Sequence, residues 1–212
     1  MPTPDRTSLD AIVQAGRDIL ESAGIDGLTM QAVADRVGVR APSLYKRVRN
    51  RDDLVRLITE ATVRDLGERL ATVGAGSDPR RDLAELARAF RAFAHARPMG
   101  YQLIFAPRPD LARPSTEALT RAIEPMMRVA VHLAGDHHAL VAARTLTAWA
   151  NGFISMELAG AFKLGGDIDQ AYEFGIARLT DALDGRPSIS PPESAEGRTD
   201  RAARDVRPPE SG

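Results

Sequence analysis

Three observations on the 212-residue sequence predict an all-α fold. Alanine and leucine are plentiful while β-branched runs are short, which favours helix over strand. No stretch alternates apolar and polar residues as a half-buried strand does, whereas apolar residues recur at helical spacing between glycine and proline punctuation. Hydrophobic residues make up 43% of the chain and charged residues 27%, enough apolar material for one generous domain or for a small one joined to a larger. The expected division is a three-helix unit over residues 1–50, a larger helical domain over 51–184 entered through a connecting helix at 51–73, and a disordered tail at 185–212.

Each element has its own warrant. After Ser8, a first helix carries Ile12, Ala15, Ile19, Leu20 and Ala23 on one face and stops at Gly24. Thr29 caps a short second helix whose inner face is Val33, Ala34 and Val37, and Gly38 ends it. Pro42, tolerated where the helical N–H has no partner, opens a third short helix that should reach about residue 48. Asn50 caps the fourth, with Asp53 three residues on as the acidic half of a capping-box-like start, and Leu54, Leu57, Ile58, Ala61 and Leu66 carry it to about Val73. "GAGSDP" breaks the chain and Pro79 opens the next helix, read through "LAELARAFRAFAHA". "PMGYQLIFA" and the loop "PRPDLARPS" follow, and then two amphipathic stretches, Thr116–Ala134 and 137–162, the second a rod of about 40 Å. "LGGD" should end it before a last helix at 168–183, and the proline-, serine- and charge-rich remainder should stay disordered.

Composition excludes several function classes. Without cysteine there is no disulfide, thiolate metal site or cysteine nucleophile, which fits a cytoplasmic protein. The opening "MPTPDRTSLD" lacks the apolar run of a signal peptide, and no apolar segment approaches the roughly 18 residues of a membrane span. The four histidines, His95, His132, His137 and His138, include no i, i+4 pair for a metal. No glycine-rich phosphate loop, nucleophile elbow or paired-carboxylate constellation occurs, so neither an enzyme nor a cofactor is implied.

The net charge of −1 is uninformative, but its local distribution is not. Between residues 36 and 56 seven cations (Arg36, Arg40, Lys46, Arg47, Arg49, Arg51, Arg56) face only Asp52 and Asp53. They surround two short helices joined at Gly38, whose inner faces pack on the first helix and leave Arg40, Ser43, Lys46 and Arg47 outward, with Tyr45 at the margin. A short cationic helix with an exposed N-terminal half suits a DNA major groove about 12 Å wide. Arg40 and Ser43, with Ala41 and Pro42 beside them, are placed for base edges; Tyr45, Lys46 and Arg47 can donate to phosphate. The helix N-termini near Thr29 and Arg51 offer free backbone N–H groups to the same phosphates.

The segment "GIDGLTMQAVADRVGVRAPSLYKRVRNRDDLV", residues 24–55, resembles the DNA-binding domain of the TetR family of transcriptional regulators. Leu28, Thr29, Ala34, Gly38, the pair Leu44–Tyr45 and Asp52 to Leu54 carry the likeness; Arg47 and Val48 depart from it, standing where many members have histidine and phenylalanine. The resemblance covers residues 8–60 and implies an N-terminal helix-turn-helix domain followed by a helical ligand-binding and dimerisation domain. It further implies a homodimer on a near-palindromic DNA operator, responsive to a small molecule. "WANGFISMELAG", residues 149–160, is similar to the tryptophan- and glycine-containing C-terminal domain of one TetR subgroup.

Within the C-terminal half, Ala148, Gly152, Ser155 and Ala159 recur at helical spacing, and Ala171 and Gly175 continue the habit. Such stripes let helices approach closely, either within one chain or across a four-helix dimer interface; the TetR architecture implies the second. A ligand cavity could be walled by Phe90, Phe93, Tyr101, Phe105, Met126, Met127, Trp149, Phe153 and Met156, with His132, Asn151 or Glu157 as polar anchors, although the same side chains would serve equally as plain core. The expected protein is a ligand-responsive regulator, most simply a repressor, taking a small apolar or amphipathic effector and binding no membrane. The rival readings are a constitutive DNA-binding protein and a helical binding or catalytic protein that keeps the fold without DNA.

Overall fold

Every regular element within the residues described by the computed structural model, 8–73, 76, 78–105 and 114–184, is a helix. In chain order these are α1 (Leu9–Gly27), α2 (Met30–Val37), α3 (Ala41–Leu44), α4 (Arg51–Ala71), α5 (Pro79–Ala96), α6 (Pro98–Phe105), α7 (Thr116–Ala134), α8 (Ala139–Leu158) and α9 (Ile168–Asp184). Side-chain caps fix most of the starts. Ser8, Thr29, Asn50 and Ser115 each accept from the backbone N–H three residues on, and Asp78 accepts from Arg80 and Arg81. Such caps stabilise a helix by about 1 kcal/mol each. At α4 the expected box is reciprocal: Asn50 Oδ1 accepts from Asp53 N–H (2.8 Å), and the Asp53 carboxylate reaches back to the Arg49 N–H (3.0 Å).

Several helix ends differ from the sequence expectation. Gly24 breaks α1 as expected, its φ of 68° and ψ of −175° lying outside the helical region, but a further turn follows to Gly27. The third helix closes at Leu44 instead of near residue 48, because the Leu44 carbonyl accepts from both Arg47 N–H (2.8 Å) and Val48 N–H (2.9 Å) and the chain tightens into turns. This tightening brings Val48 fully into the core four residues after Leu44. The rod expected at 137–162 begins only at Ala139, so His137 and His138 precede the helix, and it ends at Leu158 with Gly160 in the left-handed region. Its 20 residues span about 30 Å, not 40. The loop expected after α6 and the tail at 185–212 lie outside the described residues apart from Pro114 and Ser115.

Two apolar cores are joined through shared helices. Ile12, Leu20, Leu28, Val33 and Leu44 meet Leu54, Val55 and Ile58 from the first half of α4. Leu66 and Leu70, from the second half of the same helix, join α5, α7, α8 and α9 around Leu86, Phe93, Val129, Ile154 and Tyr172. The short α6 also serves both: Met99 and Leu103 pack on the first core, Tyr101 and Phe105 on the second. Outside the cores, arginines of α5 lash it to its neighbours. Arg88 makes a two-pronged pair with Glu173, and Arg91 a two-pronged pair with Glu157 at 2.8 and 2.5 Å. Exposed pairs of this kind contribute little, but Glu157 is only 10% exposed and also meets His95 at 3.1 Å. That side chain is therefore an internal tie between α8 and α5, and it also lines an open groove with Arg88, Ala92 and Asp169.

Candidate nucleic-acid interface

The α2–α3 corner is built to present one cationic face. Gly38 adopts φ 75°, a left-handed conformation that side chains rarely tolerate, and its N–H reaches the carbonyls of Ala34 and Asp35 to close α2. Val33, Ala34, Leu44 and Val48 are all buried against α1 and α4, which holds both short helices by their inner faces. What remains outward is Arg40, Pro42, Tyr45, Lys46 and Arg47, with Ala41 and Ser43 partly covered. Tyr45 is 54% exposed, unusual for a ring with so much apolar surface, and its hydroxyl is free to donate.

Six of the seven cations counted in the sequence divide into four kinds. Arg56 is consumed by Asp53 (2.8 Å) and Glu60 (3.0 Å) along α4. Arg51 turns inward: its Nε donates to the Leu28 carbonyl (2.8 Å) and Nη2 to the Ile25 carbonyl (2.5 Å), fastening the α1–α2 loop to the start of α4. Position 51 can therefore offer a phosphate its backbone N–H but not its charge. Arg36 and Arg49 hold carboxylates only loosely, at 3.7 and 3.8 Å. Among the described residues, Arg40 and Lys46 have no carboxylate partner at all. Thr29 caps α2 with its side-chain oxygen, leaving the first-turn N–H groups of Met30 and Gln31 without an intrahelical acceptor. Backbone hydrogen bonding from Arg49, then the Arg56 guanidinium, holds the Asp53 carboxyl below its usual range, so the negative charge at this helix start persists in mild acid.

The C-terminal candidates are dispersed differently. A wholly apolar cavity of about 50 Å³ lies among Leu70, Leu86, Phe90, Met126, Trp149 and Ile176, with Leu83, Ala87, Leu146, Thr147 and Ala150 completing its walls. Of the expected wall residues only Phe90, Met126 and Trp149 line it. Phe93 is fully buried core, Tyr101 and Phe105 cluster edge-on with Phe90, Phe153 packs on Trp149 and Tyr172, and Met127 lies against the alanine contact between α7 and α8. Asn151, half-buried, accepts the Tyr101 hydroxyl at 2.6 Å, and burial pushes that phenol up to about 12. His132 and Met156 are exposed, His132 Nδ1 donating to the Arg128 carbonyl (2.8 Å), and neither touches the cavity. Sequence reading missed Leu70, Leu83, Leu86, Ala87, Leu146 and Ile176 because ordinary aliphatic core and cavity wall have the same helical spacing. A ligand pocket of roughly 300 Å³ or more would need these walls to part.

Of the small-residue stripe, Ala148, Gly152, Ser155, Ala159 and Ala171 are exposed, in company with Val141 at 62% and Phe174 at 66% exposure. Gly175 departs from them: a Cβ there would stand 2.1 Å from Trp149 Cζ2, so its smallness serves α8–α9 packing inside this chain. Among the described residues no cluster of three or more His, Asp or Glu side chains is gathered around a possible ion, and no helix is long and apolar enough to cross a membrane.

Residues 12–58 match the family model for bacterial regulatory proteins of the tetR family, and residues 83–179 match the tetracyclin repressor-like C-terminal domain. The tetracycline repressor protein class A from transposon 1721 of Escherichia coli is 30% identical over 179 residues, 82% of this chain and 80% of that protein. The chain belongs to the TetR family. As a TetR-family protein it is a DNA-binding transcriptional regulator, with the helix-turn-helix in the α2–α3 corner. An uncharacterized HTH-type transcriptional regulator of Mycobacterium tuberculosis, Rv0681, is 29% identical over 185 residues, covering 86% of this chain and 84% of its own length. Among solved structures, a protein of unknown function from Rhodococcus sp. RHA1 superposes with a TM-score of 0.74 at 23% identity, over 87% of this chain and all of that one. A TetR variant from Acinetobacter baumannii AYE in complex with minocycline does so at 0.63 and 22%, over 84% and 96%. These two share the TetR-family fold with this chain.

Proposed function

We propose that this regulator is a cytoplasmic, ligand-responsive repressor that grips a near-palindromic operator as a homodimer, residues 1–50 supplying the DNA contacts and 51–184 the sensing and pairing. The single observation that carries the reading is the outward pair Arg40 and Lys46, without a carboxylate partner among the described residues, on a corner whose inner face is fully buried. Arg40, Ala41, Pro42 and Ser43 then meet base edges; Thr29, Tyr45, Lys46, Arg47 and the backbone N–H of Arg51 meet phosphates. The two corners of a dimer would enter successive major grooves about 34–36 Å apart. Pairing would use the exposed stripe of Ala148, Gly152, Ser155 and Ala159 with Ala171 nearby. An effector would occupy the Phe90–Met126–Trp149 cavity by forcing it open, and DNA release requires that it favour the opened arrangement. The tetracycline repressors among the relatives offer a precedent for an effector of this kind.

The test is to select DNA from a random pool with the purified protein and titrate the selected fragment at rising salt. With several phosphates neutralised per dimer, affinity should fall by orders of magnitude between about 50 and 200 mM salt. Selection of no fragment above background, or an affinity indifferent to salt, would remove the reading. The cavity volume of about 50 Å³ favours a second reading, in which the C-terminal domain only dimerises and DNA binding is constitutive. A panel of lipophilic compounds that shifts neither Tm nor operator affinity decides for that alternative.

A further inference from the structure

The DNA-binding corner is joined to the rest through α4, which enters both cores, and through α6, whose Met99 and Leu103 pack on the first core; α4 alone would leave a swing about its own axis. A second attachment lies off that axis. Glu21 of α1 is partly buried, and its two carboxylate oxygens accept from consecutive backbone N–H groups at the start of α6, Gly100 at 2.9 Å and Met99 at 3.1 Å. Those are first-turn amides, which lack intrahelical acceptors, and a carboxylate there also meets the positive end of the helix. The approach depends on Gly100, which is buried: a Cβ would stand 3.1 Å from Glu21 Oε1 and 3.1 Å from Thr62 Cγ2. From this anchor α6 runs into the C-terminal core, where Tyr101 donates to Asn151 of α8 and its ring meets Phe90, a wall of the cavity. The ion pair of α1 in this region, Arg17 with Asp65 at 2.5 Å, goes to α4 itself and so fastens α1 to the axis, with Arg97 at the α5–α6 junction 3.8 Å from the same carboxylate.

We propose that Glu21 is a positioning residue for operator binding: by clamping α1 to the N-terminus of α6 it fixes the angle of the DNA-binding corner against the C-terminal core, and with it the half-site spacing that the dimer accepts. In a symmetric dimer the two corners swing in opposite senses, so a small rotation at each joint adds in their separation. The inference rests on the homodimeric reading above, and its test separates the two.

The experiment takes the operator selected by the full-length protein and compares it with versions whose half-sites are one base pair closer or farther, and with a fragment holding a single half-site. Wild type should discriminate sharply among the spacings. Glu21→Ala should bind the best operator about tenfold more weakly, from the loss of two charge-assisted hydrogen bonds. It should also flatten the spacing preference and leave half-site affinity unchanged. Glu21→Gln, which keeps an oxygen acceptor, should fall between, and Gly100→Ala, which pushes the same contact apart from the other side, should flatten the preference as Glu21→Ala does. Spacing preference preserved in both Glu21→Ala and Gly100→Ala overturns the proposal, as does an equal loss on full and half sites, which would mean the corner itself had been damaged. If wild type itself shows no spacing preference, the homodimeric reading falls, and this one with it.

Discussion

Lys46 and Arg51 stand five positions apart in one cationic run, yet the structure gives them opposite fates. Lys46 is exposed without a carboxylate, so Lys46→Ala should leave Tm within a degree or two, since exposed substitutions stay within about 0.5 kcal/mol. The same change should weaken operator binding across sequences and lower the salt slope by about one per subunit, about two for the dimer. Arg51→Ala strands the Leu28 carbonyl, leaves that of Ile25 only the Leu28 N–H, and should cost about 1–3 kcal/mol of stability, visible as a lower Tm, while the salt slope is kept. A salt slope that dropped with Arg51→Ala would mean its guanidinium reaches DNA after all. At Arg40 a change to alanine should instead relax base preference at one operator position, read by repeating the pool selection. Sequence could count these cations and place them near one corner. It could not separate Arg51 from Lys46, because the acceptors that claim Arg51 lie 23 and 26 residues away and are carbonyls, which leave no mark in residue type.

Helix starts were legible where they are written locally: Thr29 and Asn50 cap as the sequence expected, whereas the start expected at 137 moved to Ala139, where no side chain caps the helix. Asn50→Ala should therefore cost about 1 kcal/mol, measured by denaturant midpoint. Helix ends were less legible. Apolar spacing runs on past Leu44 and past Leu158, and only the tightened bonds at the Leu44 carbonyl and the left-handed Gly160 halt the two helices. The small-residue stripe divides for a similar reason, since spacing cannot say whether the neighbour of a glycine belongs to the same chain. Gly175→Ala should destabilise the monomer fold by about 1–3 kcal/mol through its collision with Trp149, whereas Gly152→Ala meets nothing within 4 Å and would act only where another subunit approaches. Analytical ultracentrifugation of the Gly152 variant beside thermal melts of the Gly175 variant distinguishes the two roles.

For the molecule as a whole, carboxylates tie the helices together and set its acid limit. Arg91 hydrogen bonding holds Glu157 below its ordinary value, Arg88 does the same for Glu173, and at Asp65 the Arg17 and Arg69 guanidiniums outweigh a burial that pushes the other way. Each folded-state value lies below its unfolded one, so the stabilisation is complete above the unfolded range of about 4 and is lost as pH falls through the folded values. Tm should thus be insensitive to these groups between about pH 6 and 8 and should drop below about pH 4. The all-α class and the N-terminal corner were legible from periodicity and caps, but the cavity was not, because its existence depends on which aliphatic faces fail to meet. The division of labour along α4 has a practical corollary for anyone cutting the chain. A head fragment ending at residue 50 would shed Leu54, Val55 and Ile58 and should be recovered as an unstructured peptide, and even one carried to the end of α4 would lack the Met99 and Leu103 lid. Calorimetry of the intact chain should accordingly trace a single endotherm, reader and sensor melting together.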